Sequence, residues 1–267
     1  MHPANCLNCG SNLDPGQKFC AVCGQKAATH KLNLHEIGHE ALHYFIHADK
    51  SILHLIRELA LRPGKVAREF IAGRRVKYFK PVNFFLIVAG ILVFMTSYFH
   101  FANDTALKRF QQVVAGAKDP VQRKRLSGQL ERMEKAIHFM EKYSNVVTML
   151  LTPLFAFILW QFYKKAGYSF IEHLVANMYF SSFTMLCYAL ILVPWQKQLV
   201  MNITGWIMLL VFIIFQIVYG PIAYYQFINR RGTVPYLKAL GVYSFTILLW
   251  AVGSSSLVNW YIKSGFR

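Results

Sequence analysis

The stretch DKSILHLIRELALRPGKVAREFIAGRRVKYFKPV, residues 49–82, decides how the chain is organised. It carries nine Lys or Arg residues against three acids, and the first long apolar segment follows it directly. A basic flank beside a first membrane span stays in the cytoplasm. It also faces an anionic leaflet, which attracts each nearby cation by roughly 1 kcal/mol. We therefore expect this stretch to bind anionic lipid through Arg62, Lys65, Arg68, Arg74, Arg75, Lys77 and Lys80.

The composition of the chain is that of a membrane protein. Charged residues make up 15% of the 267 positions, whereas a soluble domain has about 25%. Because the acids are few, the net charge is +17. In a membrane protein, this excess indicates lipid headgroups and topology, and we expect no nucleic-acid partner.

Five apolar segments follow the basic stretch, each near the roughly 20 residues that a helix needs to cross a bilayer. They are residues 82–101, 146–163, 174–193, 203–225 and 239–259, and none contains Asp, Glu, Lys or Arg. With a cytoplasmic N-terminus, five crossings place the C-terminus outside, and the inner loops hold Lys164-Lys165 and Arg230-Arg231. The sequence thus predicts a multi-pass protein of the bacterial inner membrane. Residues 102–144 would form an extracytoplasmic helical hairpin whose second arm starts at Asp119-Pro120.

Two cysteine pairs near the N-terminus predict a metal site. They lie in CLNCG, residues 6–10, and in FCAVCGQK, residues 19–26. Four thiolates in two tight knuckles suit tetrahedral zinc at a closed structural site, and the metal would supply folding energy that so short a segment lacks. Disulfides and iron are the alternatives. We predict a structural Zn²⁺ bound by Cys6, Cys9, Cys20 and Cys23, in a zinc ribbon that docks a protein partner.

The segment between the ribbon and the basic stretch is rich in histidine. His35, His39 and His43 recur every four residues, and two H-E-x-x-H patterns overlap there. In a zinc protease, two such histidines bind the metal and the adjacent glutamate activates water, which would give Glu36 the catalytic role. Glu58 is far enough downstream to serve as a further ligand. A non-catalytic metal site and a plain amphipathic helix at the membrane surface remain alternatives.

The basic stretch itself predicts two short helices. The first, residues 50–61, has an apolar face, and Arg62-Pro63 ends it because proline disfavours helix in the residue before it. The second covers residues 66–72 and stops at Gly73. We expect both helices to lie at the membrane surface. The apolar face of the first helix is made of Ile52, Leu53, Leu55, Ile56 and Leu59.

Three motifs together resemble a family of uncharacterised bacterial multi-pass membrane proteins with an N-terminal zinc ribbon. These are CxNCG…FCxxCGQK, the residues around 47–51 that read H-x-D-K-S, and RPGKVAREFIAGRRVKYFKP at 62–81. The resemblance covers about residues 6–85 and implies an architecture, not a reaction. Five spans behind a cytoplasmic N-terminal region also resemble Yip1-type membrane proteins, in topology alone.

The sequence as a whole predicts an all-α integral membrane protein with three parts. Residues 1–28 form the zinc ribbon, residues 29–81 the His-rich and basic interfacial helices, and residues 82–267 the five-helix domain. The predicted function is a non-enzymatic scaffold or adaptor that binds anionic lipid or a protein partner, and a second copy of the chain is a further candidate partner. The alternatives are a channel or permease for an uncharged or lipidic solute, and a membrane zinc metalloprotease.

Overall fold

The structure, a computed structural model, describes residues 4–27, 51–99, 104–195, 203–230 and 232–264. These residues are helical apart from turns and two isolated β-bridges in the N-terminal segment, which confirms the all-α prediction for this part of the chain. The predicted histidine helix with His35, Glu36, His39 and His43 lies outside the described residues. The helices are α1 (Ser51–Leu61), α2 (Pro63–Ile71), α3 (Pro81–Tyr98), α4 (Asp104–Gly116), α5 (Pro120–Tyr163), α6 (Phe170–Cys187), α7 (Ile203–Ile228) and α8 (Thr233–Ser264).

Four helical segments in the described part of the chain are long and apolar enough to cross a membrane. They are Pro81–Tyr98, Phe170–Trp195, Leu210–Ile228 and Thr233–Ser264. They coincide with the first, third, fourth and fifth predicted spans, and they indicate a multi-pass membrane protein. The second predicted span, residues 146–163, is not among the four; it forms the C-terminal part of α5.

Helix α6 lies at the centre of the bundle and α8 at its periphery. In the most apolar part of the segment Phe170–Trp195, which starts with α6, 61% of the residues are buried, whereas in the most apolar part of α8 the share is 11%. Helix α6 packs against α3, α5 and the pair α1–α2, whereas α8 packs against α5 and α7. The side chains of Leu248, Val252 and Leu257 on α8 are exposed. An exposed apolar face of this kind suits contact with lipid.

Helix α5 has 44 residues, a length of about 66 Å at 1.5 Å per residue. Its start agrees with the prediction, since the Asp119 carboxylate accepts hydrogen bonds from the first-turn amides. It runs antiparallel to α8: Arg132 Nε donates to the carbonyl of Ile262 at 2.8 Å. Thirty residues further along α5, the rings of Phe162 and Phe245 lie 6.3 Å apart. Helix α5 therefore lies beside α8 from Arg132 to Phe162.

Helices α1 and α2 pack on one end of the bundle. Leu55 and Leu59 of α1 and Phe70 of α2 are buried there. The hydroxyl of Tyr219 on α7 donates to the carbonyl of Leu59 at 3.2 Å. The Phe70 ring meets the ring of Tyr179 on α6 edge to face, with centroids 5.7 Å apart. Because residues 51–80 wrap this end of α6 and α7, we call them the collar.

The apolar face of α1 is narrower than the sequence indicates. Leu55 and Leu59 are buried, but Leu53 is 74% exposed. At 100° per residue, Leu53 lies about 200° away from Leu55, on the opposite side of the helix. Leu53, which the sequence groups with the apolar face, therefore does not share the buried face of Leu55 and Leu59. Leu53, Arg57 and Leu61 instead form an exposed row at four-residue spacing.

A glycine allows α2 to approach α7 closely. Gly64 is buried in the first turn of α2, and its amide donates to Oε1 of Gln226 at 3.2 Å. A Cβ at this position would overlap the backbone nitrogen of Phe227 and the Cβ of Gln226. Because both of these atoms belong to the rigid helix α7, a larger residue at position 64 would push α2 away from the bundle.

We predict that Gly64→Ala destabilises the protein by about 1–3 kcal/mol, the usual cost of overpacking a well-packed contact. Gly90→Ala on α3 is the matched control, because a Cβ there meets no atom within 4 Å. Alanine also favours helix over glycine by up to about 1 kcal/mol. Thermal unfolding of the purified protein in detergent measures both variants. Equal melting temperatures for Gly64→Ala and wild type would contradict the close contact.

Candidate functional site

We call residues 4–27 the knuckle. Its four cysteines form one cluster. The Sγ atoms of Cys6 and Cys23 are 3.6 Å apart, those of Cys9 and Cys20 are 3.7 Å apart, and all four lie within 4.8 Å of one another. A disulfide has a sulfur–sulfur distance of about 2.0 Å, so these cysteines are free thiols. The cluster could bind a metal ion.

Two equivalent turns place the four sulfur atoms. In the first turn, the Cys6 amide donates to Ser11 and the Gly10 amide donates back to Cys6, each at 2.8 Å. In the second turn, the Cys20 amide donates to the carbonyl of Gln25 and the Gly24 amide donates to the carbonyl of Cys20, again at 2.8 Å. Both glycines have positive φ, 80° and 71°, a conformation that other residues adopt at a cost. The glycine after each C-x-x-C pair is therefore part of the site.

The surroundings of the cluster favour thiolates at two of the four sulfurs. The Ser11 hydroxyl lies 3.1 Å from both Cys9 Sγ and Cys20 Sγ. This hydroxyl is the main cause that lowers the pKa of Cys9 and that lowers the pKa of Cys20 to about 6. Burial acts in the opposite direction on Cys23 and raises its pKa to about 11. A thiolate is the form of cysteine that binds metal.

The knuckle is fastened to the collar by the side chain of Gln25. This side chain is 3% exposed, and all of its hydrogen bonds go to the backbone of the loop that follows α2. Its Nε2 donates to the carbonyl of Gly73 at 2.8 Å. Its Oε1 accepts from the amides of Arg75 at 3.0 Å and Val76 at 3.3 Å. One glutamine therefore bonds three backbone groups of residues 72–80, which we call the basic loop.

Asn8 adds a second attachment between the knuckle and the same loop. Its Oδ1 accepts from the amide of Lys77 at 3.2 Å. Asn8 and Gln25 were not assigned a role from the sequence, although both stand inside the cysteine motifs, in CLNCG and CGQK. Their position beside the cysteines was the signal.

Glu69 organises the cations of the collar. Its carboxylate accepts hydrogen bonds from Lys77 Nζ and the Tyr78 hydroxyl, both at 2.7 Å, and from Arg74 Nη1 at 3.2 Å. Lys65 Nζ lies 3.8 Å away. The Glu69 side chain is 14% exposed, so these bonds form largely away from water. Glu69 is the single acid in residues 62–81, a signal that could have identified it.

The pKa of the Glu69 carboxyl is lower than usual although the group is half-buried. Burial alone would raise the pKa, but the bonds from Lys77 and Tyr78 outweigh it. The same bond acts on Tyr78, whose pKa burial and Glu69 together raise to about 12. The carboxylate is therefore ionised and the phenol is neutral around pH 7. The hydrogen bond between them requires these two forms, because the phenol donates and the carboxylate accepts.

The structure brings most of the predicted lipid-binding cations together in the collar. Lys65, Arg74 and Lys77 surround Glu69. Arg62 pairs with Glu58 at 2.8 Å, and this hydrogen bond lowers the pKa of the Glu58 carboxyl. Glu58, an alternative metal ligand in the sequence analysis, is thus engaged by an arginine. The three remaining predicted cations are partly buried: Arg68, Arg75 and Lys80.

We predict that Glu69→Gln destabilises the protein by about 2 kcal/mol, because a hydrogen bond to a charged group contributes roughly 1.5–3 kcal/mol and the three cations would lose their counter-charge. The pKa of Glu69 is depressed in the folded state, so its stabilisation is complete at neutral pH. It is lost as the pH falls through the folded-state pKa, below the usual value near 4. The gap in melting temperature between the two proteins should therefore close in acid.

Glu131→Gln is the matched control for this change. The Glu131–Lys135 pair has the same 2.7 Å separation, but both side chains are more than 60% exposed. Exposed pairs of this kind contribute little to stability. We expect no measurable shift in melting temperature for Glu131→Gln. If the two variants behave alike, Glu69 is an ordinary surface acid.

Comparison with known proteins locates one recognised family segment. Residues 49–93 match a family described as "Protein of unknown function (DUF3667)". This segment comprises α1, α2, the basic loop and more than half of α3. No curated protein and no solved structure matches the chain. The family segment therefore contains the collar and the start of the first candidate membrane span, and the family description assigns it no activity.

Proposed function

We propose that this protein is a non-enzymatic membrane scaffold in which a zinc-bound knuckle holds a cationic collar against the membrane surface. The observation that carries the proposal is the attachment through Gln25, which bonds the backbone of Gly73, Arg75 and Val76. A knuckle joined in this way does not move freely relative to the collar. It fixes the conformation of the basic loop, and the loop would bind anionic lipid or an acidic partner.

Zinc is the metal that fits the cysteine cluster best. Four sulfurs at about 2.3 Å from a tetrahedral zinc ion lie about 3.8 Å from one another. Two of the sulfur–sulfur distances, 3.6 and 3.7 Å, are close to this value. The knuckle has few buried apolar residues besides its cysteines, so metal binding would supply much of its folding energy. We assign Cys6, Cys9, Cys20 and Cys23 as the ligands.

We propose a fifth membrane crossing by the C-terminal part of α5. Helix α5 runs antiparallel to the candidate span α8 from Arg132 beside Ile262 to Phe162 beside Phe245. Two antiparallel neighbours of this length would cross the bilayer together. With five crossings and a cytoplasmic collar, the C-terminus lies outside. The basic residues of the collar favour this orientation in a bacterial inner membrane.

The collar retains a strong positive charge after its ion pairs are counted. Residues 51–82 hold eight Lys or Arg residues and two acids, Glu58 and Glu69, which leaves a net charge of +6. The exposed row of Leu53, Arg57 and Leu61 adds apolar side chains beside the cations. A surface that combines exposed apolar and basic side chains suits the headgroup region of an anionic membrane.

The two alternatives from the sequence have no observation in their favour. The metalloprotease depends on residues 35–43, which lie outside the described part of the chain. The carboxylate of Glu58 is bonded to Arg62. For a channel, polar groups inside the spans would have to face a path, but the hydroxyls of Ser181 and Ser182 donate to carbonyls of their own helix. Both alternatives stay predictions.

Gln25→Ala tests the attachment of the knuckle. Hydrogen exchange of the peptide that contains residues 73–77 should become at least about tenfold faster, because two of its amides lose their acceptor. The zinc content should not change, since the four ligands remain. Gln17→Ala is the control: Gln17 is a glutamine of the same knuckle that bonds only its neighbour Asp14. Unchanged exchange in Gln25→Ala would overturn the proposed attachment.

The lipid part of the proposal is tested with the full chain in nanodiscs. Trypsin should cleave after Arg74, Arg75 and Lys77 several-fold more slowly in phosphatidylglycerol-containing discs than in pure phosphatidylcholine discs. Salt should remove the difference, because screening shortens the reach of exposed charges to about 3 Å at 1 M ionic strength. Cleavage after Lys118 and Lys124 on the predicted outer hairpin serves as the internal control. Equal cleavage of the collar in both kinds of disc would contradict lipid binding.

A further inference from the structure

A pocket outside the collar lies where three helix ends meet. The last turn of α5, the last turn of α7 and the first turns of α8 enclose a cavity of about 470 Å³. Small-molecule sites usually have volumes of about 300–1,000 Å³. The pocket lies at the same end of the bundle as the collar, since the last turn of α7 also contacts α2 through Gln226. The proposed zinc and lipid sites use none of its residues.

Four cations line this pocket: Lys164, Lys165, Arg230 and Lys238. No ion pair within the described part of the chain involves any of them. Residues 145–267 contain one acid, Glu172, and its carboxylate accepts from the Ser169 amide in a capping box at the start of α6. Among the described residues, the four cations therefore form no ion pair, and the pocket favours an anion.

The protein positions two of the four cations by bonds to helix-end carbonyls. Arg230 Nη2 donates to the carbonyl of Lys165 at 3.0 Å, and Lys238 Nζ donates to the carbonyl of Phe162 at 2.8 Å. An arginine has five N–H donors and a lysine three. Each therefore keeps donors for a ligand after its bond to the backbone. Guanidinium and ammonium groups in one pocket match the oxygens of a phosphate.

Most of the other residues that line the pocket are apolar. They include Tyr163 and Ile228, which are buried, and Val234, which is 75% exposed. Leu237, in the next turn of α8, is 61% exposed. From there the exposed apolar face of α8 continues along the helix. A ligand in the pocket could thus place its charge among the cations and its apolar part along α8.

We propose that this pocket binds the phosphate headgroup of an anionic phospholipid, with the acyl chains against α8. The proposal rests on four cations that form no ion pair among the described residues, next to exposed apolar side chains of a candidate membrane span. A free phosphate would use the cations but not the apolar side chains, so lipid is the better match. The site is independent of the collar, because it shares no residue with it.

Native mass spectrometry of the delipidated full chain in neutral detergent tests the proposal. The probes are phosphatidylglycerol, phosphatidylcholine and glycerol 3-phosphate. We expect one tightly bound phosphatidylglycerol, and an affinity for it at least about tenfold higher than for either other probe. Lys164→Gln with Lys165→Gln should lower that affinity by about tenfold. These two side chains are exposed, so the variant should fold.

Four further variants separate this site from general charge effects and from the collar. Arg230→Gln with Lys238→Gln should also weaken binding, whereas Arg230→Lys with Lys238→Arg should restore it. Lys118→Gln with Lys124→Gln removes the same charge about 60 Å away along α5 and should bind as wild type does. Arg74→Gln with Arg75→Gln and Lys77→Gln should also leave this lipid bound. Wild-type affinity in both pocket variants, or equal affinity for phosphatidylcholine or glycerol 3-phosphate, would overturn the proposal.

Discussion

The carboxylate of Glu69 is the constraint on which the collar depends. Seven cations occupy residues 62–81, and without an internal acid their mutual repulsion would extend the segment. Glu69 instead binds Arg74, Lys77 and Tyr78 from a helix whose start is fixed by the contact of Gly64 with α7. The loop after α2 is therefore folded back on α2. This folded loop is the surface that the knuckle binds.

The knuckle recognises the backbone of that loop and not its cationic side chains. Gln25 and Asn8 bond main-chain groups of residues 73–77, while the Arg74 side chain remains 47% exposed. Backbone recognition leaves the charge of the loop unused by the knuckle. The cysteine cluster and the cationic side chains are thus joined through main-chain hydrogen bonds and remain chemically separate.

The sequence predicted what local patterns determine. Cysteine spacing predicts the knuckle, hydropathy predicts four helices that the structure finds long and apolar enough to cross, and Asp119-Pro120 marks the start of α5. It could not predict which surface each helix packs against. Periodicity shows that α1 has an apolar face, but not which of its apolar residues lie on α6 and α7 and which, like Leu53, stay exposed. The pocket was beyond prediction because Lys165 and Arg230 are 65 positions apart.

The last turn of α7 links the two cationic regions. Gln226 and Phe227 contact Gly64 of the collar, whereas Tyr225 and Ile228 line the pocket. Residues three apart share one side of a helix, so Tyr225 and Ile228 face the pocket together, while the side chain of Gln226 bonds Gly64 of α2. One helical turn thus has a collar side and a pocket side. Because Gly64 leaves no room between α2 and this turn, close packing fixes the collar side, and the pocket side is the one that a ligand can reach.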